Sequence, residues 1–148
     1  MTPGVSIRAA TQGDAAACAA IKNAWIDATP WMPRVHPADD VERHYRETVL
    51  PNRTVLIAED GGVCGFLALD EAEREVTSLF VGEAVRGFGV GRSLLDEAKA
   101  ICSDLVLWTF VANEGARRFY AREGFVEVEQ TEGDNEEGLA DLRLKWTA

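Results

Sequence analysis

The 148-residue chain carries a formal net charge of −10, with 47% hydrophobic and 27% charged residues, a balance that suits one globular domain over 1–148 with a core of its own. A sequence pI near 4.6 argues against a nucleic-acid partner, whose phosphates demand a basic face, and no apolar run is long enough to span a membrane. Three cysteines, Cys18, Cys64 and Cys102, are odd in number and wrongly spaced for a disulfide framework or a metal site. With an N-terminus that lacks a basic and apolar leader, they point to a reduced, cytoplasmic protein that binds no metal.

Taken in chain order, residues 5–9 read as a short strand. Thr11 and Asp14 have the spacing of a capping box and open a helix to about residue 27, with Cys18, Ile21 and Trp25 on one face. Three prolines in 29–37 exclude a regular helix there, so this loop leads to a second helix over 38–49. Residues 54–60 and 63–70 form a hairpin around Gly61-Gly62, and 75–81 supply a third strand of the same kind. A helix over 91–102 buries Leu94, Leu95, Ala98 and Ile101. The apolar run 104–111 suits a strand covered on both faces, and Asn113 caps a short helix that Gly124 ends. Strands at 125–129 and 138–146 flank an acidic turn, the last with Ala140, Leu142, Leu144 and Trp146 inward. The order is βααβββαβαββ, an α/β fold with a mixed, α+β-like sheet.

Between the third of these strands and its helix lie Gly87, Gly89 and Gly91. A dinucleotide fingerprint needs a glycine where Arg92 stands and an acidic ribose ligand that the end of the following strand lacks, which argues against a nucleotide-binding oxidoreductase. A Walker loop needs a terminal Gly-Lys-Ser/Thr, and a nucleophile elbow needs a glycine two residues after Ser93. What is left is a loop whose amides converge at a positive helix end, flanked by Arg86 and Arg92, and suited to an anion such as pyrophosphate, or else a tight turn without chemistry.

Arg86-x-x-Gly89-x-Gly91 resembles the Arg/Gln-x-x-Gly-x-Gly/Ala loop of the GNAT superfamily of acyl-CoA-dependent N-acetyltransferases. The stretch EVTSLFVGEAVRG before it is similar to that family's fourth strand. NEGARRFYAREGF after it resembles the second motif, with Asn113, Ala116, Phe119, Tyr120, Gly124 and Phe125 in matching places. The resemblance implies a single-domain GNAT-type fold whose fourth and fifth strands splay apart around acetyl-CoA, the acetyl donor. It implies that the main chain at Leu79, Phe80 and Val81 pairs with the pantetheine arm, and that Arg86, Gly87, Phe88, Gly89, Val90, Gly91, Arg92 and Ser93 take the pyrophosphate. Asn113 matches a position that contacts the arm.

The same resemblance implies acetyl transfer by direct attack of an amine on the thioester. Tyr120 stands at the position that donates a proton or hydrogen bond to the leaving thiolate. Glu75 stands where some members place a general base, while others use a chain of waters. Strand alternation puts Glu75 on the face of Thr77, Leu79 and Val81 unless a β-bulge intervenes. The family builds its acceptor site from the first two helices, their loop and the late hairpin, which here implies Trp25, Trp31, Met32, Arg34 and His36. Arg34 offers a bidentate partner for a carboxylate, whereas the acidic net charge favours a polyamine or aminoglycoside-like cation; peptides are a third class. A catalytically silent acyl-CoA sensor is the other reading, and many relatives are homodimers through the late strands.

Overall fold

The computed structural model describes residues 4–148; residues 1–3, the start of the N-terminal stretch and of the predicted domain, lie outside the described residues. The chain runs β1 (Ser6–Ala9), α1 (Ala15–Ala28), α2 (Ala38–His44), β2 (Thr54–Glu59), β3 (Val63–Asp70), β4 (Glu75–Val81), α3 (Val90–Ile101), β5 (Asp104–Phe110), α4 (Glu114–Arg122), β6 (Val126–Thr131) and β7 (Asp141–Thr147), the predicted order. Thr11 N–H donates to Asp14 Oδ2 at 2.7 Å, satisfying an amide at the entrance to α1. The same carboxylate receives both terminal nitrogens of Arg8 at 2.9 Å. This pairing holds Asp14 well below the usual carboxylate range, at about 2.

One mixed sheet, in the order β1-β2-β3-β4-β5-β7-β6, forms the middle layer. Helices α3 and α4 cover one face and close a core of Leu67, Leu69, Leu94, Leu95, Leu105 and Leu144. On the other face α1 and α2 close a smaller core around Cys18, Tyr45, Ile57, Phe66 and Ala68. Each fully buried leucine, isoleucine or phenylalanine among them contributes roughly 1.5–3 kcal/mol, so burial in these two layers is a main favourable term in folding. Among the described residues no helix is long and apolar enough to cross a membrane.

Several expectations need correction. Ile101 is 43% exposed, because α3 ends there and the chain turns into β5, leaving the inward place to Cys102. The second helix runs beyond 49: α2 continues through a π-turn (Tyr45–Val49) and a last turn (Leu50–Asn52). The final strand starts three residues late. The Asn135 amide holds Leu139 from both sides, accepting its N–H at 3.2 Å and donating to its carbonyl at 2.7 Å, so the chain loops up to Leu139. On α1 the innermost side chains are Ala15, Cys18, Ala19 and Ile26, with Ile21 and Trp25 half-buried beside them.

Candidate functional site

The site begins where β4 and β5 separate. These parallel strands share a single pair, Glu75 with Val106, where Val106 N–H donates to Arg74 O at 2.9 Å. Beyond that point they part. On its other side β4 is paired with β3 through Phe66–Phe80 and Gly65–Val81, and Gly82 N–H donates to Cys64 O at 2.7 Å. Main-chain groups alternate between the two edges of a strand. Phe80 therefore spends its amide and carbonyl on β3, and Leu79 and Val81 present theirs to the gap. Arg86 Nε donates to Val81 O at 3.1 Å, so that carbonyl is already taken. Unpaired strand amides in the middle of a sheet are costly to leave without a partner, and an extended amide-bearing chain supplies one.

At the end of β4 the three glycines divide into two kinds. Gly87 and Gly89 have φ of 84° and 85°, a conformation that costs other L-residues roughly 1–2 kcal/mol. Gly89 is the N-cap of α3, so the amides of Val90, Gly91 and Arg92 precede the first intrahelical bond and carry the helix's partial positive charge. Gly91 lies in the first turn of α3 with an ordinary helical φ, and a Cβ there would make ordinary van der Waals contact with Phe119 Cζ at 3.4 Å and Val81 Cγ2 at 3.7 Å, so neither conformation nor packing demands a glycine. Ser93 Oγ donates to Gly89 O at 3.0 Å, Val90 is core, and Phe88 is 60% exposed. Arg92 lies 3.6 Å from Glu123. Free amides, a positive helix end and glycine geometry fit a diphosphate.

On the same side of the sheet, Tyr120 of α4 packs edge-on against Phe119 and Phe125, with ring centroids 5.2 and 5.5 Å apart. Its ring is buried, yet its hydroxyl is not sealed and has no hydrogen-bond partner among the described residues. Burial pushes the phenol well above its ordinary pKa, so at neutral pH it is a proton donor and not a base. Asn113 caps α4 by accepting from Ala116 N–H at 3.1 Å, and its amide nitrogen stays uncommitted.

The opposite face is set by a β-bulge. Leu69 pairs with Val76 and Ala68 with Ser78, so Thr77 is the extra residue and the alternation reverses across it. Glu75 consequently shares the α1/α2 face with Ser78 and Phe80, not with Leu79 and Val81, which correct the simple alternation. Burial raises the Glu75 pKa, with Arg143 opposing.

Over this face runs a chain of rings. Tyr45 meets Phe66 at 5.4 Å and Phe66 meets Phe80 at 5.8 Å. Trp25 lies 5.5 Å from Phe80 and 5.8 Å from Trp31, which reaches Phe110 on β5 at 5.9 Å. The two tryptophans thus bridge from one splayed strand to the other. Tyr45, delivered by the π-turn, is 1% exposed and shares a 3.0 Å hydrogen bond with Ser78 Oγ.

Met32 is half-buried in the α1–α2 loop. Arg34 is spent on holding that loop. It donates to Asn23 Oδ1 at 3.0 Å, His36 O at 3.1 Å and Asp27 Oδ1 at 2.9 Å. His36 Nε2 lies 3.0 Å from Glu136 Oε2 and ties the loop to the β6–β7 connection. Sequence reading missed Lys22, Tyr45, Ser78 and Phe110 on this face. Lys22 alone left a signal: it stands four residues from both Cys18 and Ile26, on the inward stripe of α1.

Comparison with known proteins gives a consistent result. A family model described as an acetyltransferase (GNAT) domain matches residues 51–127. An N-acetyltransferase of Methanocaldococcus jannaschii, itself described as uncharacterized, is 32% identical over 107 residues, covering 59% of this chain and 69% of that protein. The apo form of YjaB from Escherichia coli superposes with a TM-score of 0.79 at 27% identity, over 99% of this chain and 98% of YjaB. YncA of Salmonella typhimurium, solved with its cofactor acetyl-CoA, gives 0.71 at 25% identity, over 97% and 93% of the two chains.

Proposed function

The chain belongs to the GNAT acetyltransferases and is an acetyl-CoA-dependent N-acetyltransferase, and on that premise we propose that the gap between β4 and β5 takes the donor while the α1/α2 face receives a primary amine. The acceptor is a small molecule or a peptide. Acetyl-CoA supplies an acetyl group already activated as a thioester. The observation that carries the reading is the single Glu75–Val106 pair, beyond which the gap opens between a main-chain-lined edge and an aromatic-roofed face.

In this reading the chain has four tasks. The edge groups of Leu79 and the N–H of Val81 orient the arm, and the N–H of Val81 or of its neighbour Leu79 polarises the thioester carbonyl. The loop 86–93 and the first amides of α3 neutralise the diphosphate. The Tyr120 hydroxyl, protonated and without a hydrogen-bond partner among the described residues, gives a hydrogen bond or proton to a departing sulfur. Glu75, its carboxyl raised by burial, takes a proton from the amine on the acceptor face, directly or through water. Asn113 contributes its free amide nitrogen to the arm, and Trp25, Trp31, Met32 and His36 wall the acceptor.

A thiol-release assay with acetyl-CoA over amino acids, polyamines, aminoglycosides and short peptides tests this, with mass spectrometry of the products. N-acetylation of one class is expected, together with protection from thermal unfolding by acetyl-CoA and not by NAD. Protection by neither would overturn the assignment of the gap.

A further inference from the structure

Lys22 sits where a core-facing residue of α1 belongs, between Cys18 and Ile26, which are 0% and 8% exposed. Its Nζ lies 5.7 Å from the Tyr45 ring centroid and 5.9 Å from that of Phe80. Among the described residues it makes no hydrogen bond and no ion pair within 4.0 Å, and its nitrogen is not sealed from solvent. Neighbouring basic side chains are committed elsewhere: Arg34 to Asn23 and Asp27, Arg53 to Asp70, and the His36 ring to Glu136.

A half-buried ammonium held by two ring faces has lost much of its hydration and recovers only part of it from the rings. Burial holds Lys22 below its ordinary pKa, and Glu137 and Glu136 oppose this only from a distance. An uncharged side chain of the same length would pack on Tyr45 and Phe80 without that cost. What the charge adds is a place for an anion. That place is on the acceptor face, because Phe80 shares the face of Glu75 and directly precedes Val81, whose N–H faces the gap.

We propose that Lys22 binds a carboxylate of the acceptor, so that the preferred substrates are amine-bearing carboxylic acids and not polyamines. The inference rests on the α1/α2 face being the acceptor site. The carboxylate belongs either to a free amino acid or to a peptide, and the experiment separates these sources.

The test compares kcat/KM for matched sets: a free amino acid, its primary amide, the corresponding decarboxylated amine, a short peptide with and without a free carboxylate, and a polyamine. Wild type, Lys22→Met and Lys22→Arg are assayed, with melting temperature and acetyl-CoA KM as controls. Wild type is expected to prefer the acid over its amide by about tenfold or more, the scale of one charge-assisted pair. Lys22→Met erases that preference by raising the acid's KM with kcat little changed, and Lys22→Arg restores part of it. A preference for amides or polyamines, or an acid preference that survives Lys22→Met, overturns the proposal and leaves the acceptor face intact. Acetylation of Lys22 itself also overturns it, by making the lysine an acceptor. If no amine is acetylated while acetyl-CoA still protects the fold, the acceptor-face reading fails and the proposal with it.

Discussion

The two sides of the splayed strands offer different things to a ligand. The side proposed for the donor is built from main chain: the open edge of β4, two glycines at positive φ and the first amides of α3. The side proposed for the acceptor is built from side chains on α1, the π-turn, β4, β5 and two loops, joined by contacts as distant in sequence as His36 with Glu136. Main-chain recognition needs only a backbone path, which a few glycines mark. Side-chain recognition needs residues of many kinds from separate segments, so it leaves no short motif. One fold can therefore keep its donor while its acceptor changes.

This contrast can be broken at several points. Tyr120→Phe keeps the ring packed against Phe119 and Phe125 and removes only the unpartnered hydroxyl. It should lower kcat roughly 10²-fold or more with acetyl-CoA affinity unchanged, read by steady-state kinetics and calorimetry. Unaltered turnover would take the hydroxyl out of the mechanism.

On the other face, Glu75→Gln should cost roughly 10- to 100-fold in kcat/KM. Because burial raises the Glu75 pKa, the base is lost as pH falls through that raised value. The wild-type pH profile should therefore have an acid limb displaced upward from the ordinary glutamate value, absent from the variant. A limb that persists in Glu75→Gln assigns it to another group.

Gly89→Val tests the main-chain side. It should raise the acetyl-CoA Kd about tenfold, against a folding penalty of roughly 1–2 kcal/mol for the left-handed backbone. Comparing ligand titration with thermal melting separates the two, and equal losses would reduce the loop to a turn.

Asp14 serves as a control far from both ligands. Its folded pKa of about 2 lies below the reference 3.8, so the Arg8 pairing contributes stability above about pH 5 and loses it as pH falls toward 2. Asp14→Asn should cost on the order of 2 kcal/mol at neutral pH, flatten the acid limb of stability and leave kcat untouched.

The element order, the glycine loop ahead of α3, the Asn113 cap and the reversal points of the chain were legible in the sequence, because each depends on local rules: strand and helix periodicity, proline exclusion, capping and glycine geometry. The bulge at Thr77 was not. It arises from the register of β4 on β3, a long-range pairing that no local pattern marks, and it moves Glu75 to the α1/α2 face. Arg34 looked free in sequence because its partners Asn23 and Asp27 belong to the preceding helix. Lys22 stands on the inward stripe of α1, yet its part was not legible, because Tyr45 and Phe80, from two other elements, close around it only in the fold. The sequence by itself determined the order of the elements and the place of the glycine loop at the helix entrance. Tertiary structure alone decided which side chains meet on the far face, because that depends on strand register and helix packing, and both are settled only when the whole sheet assembles.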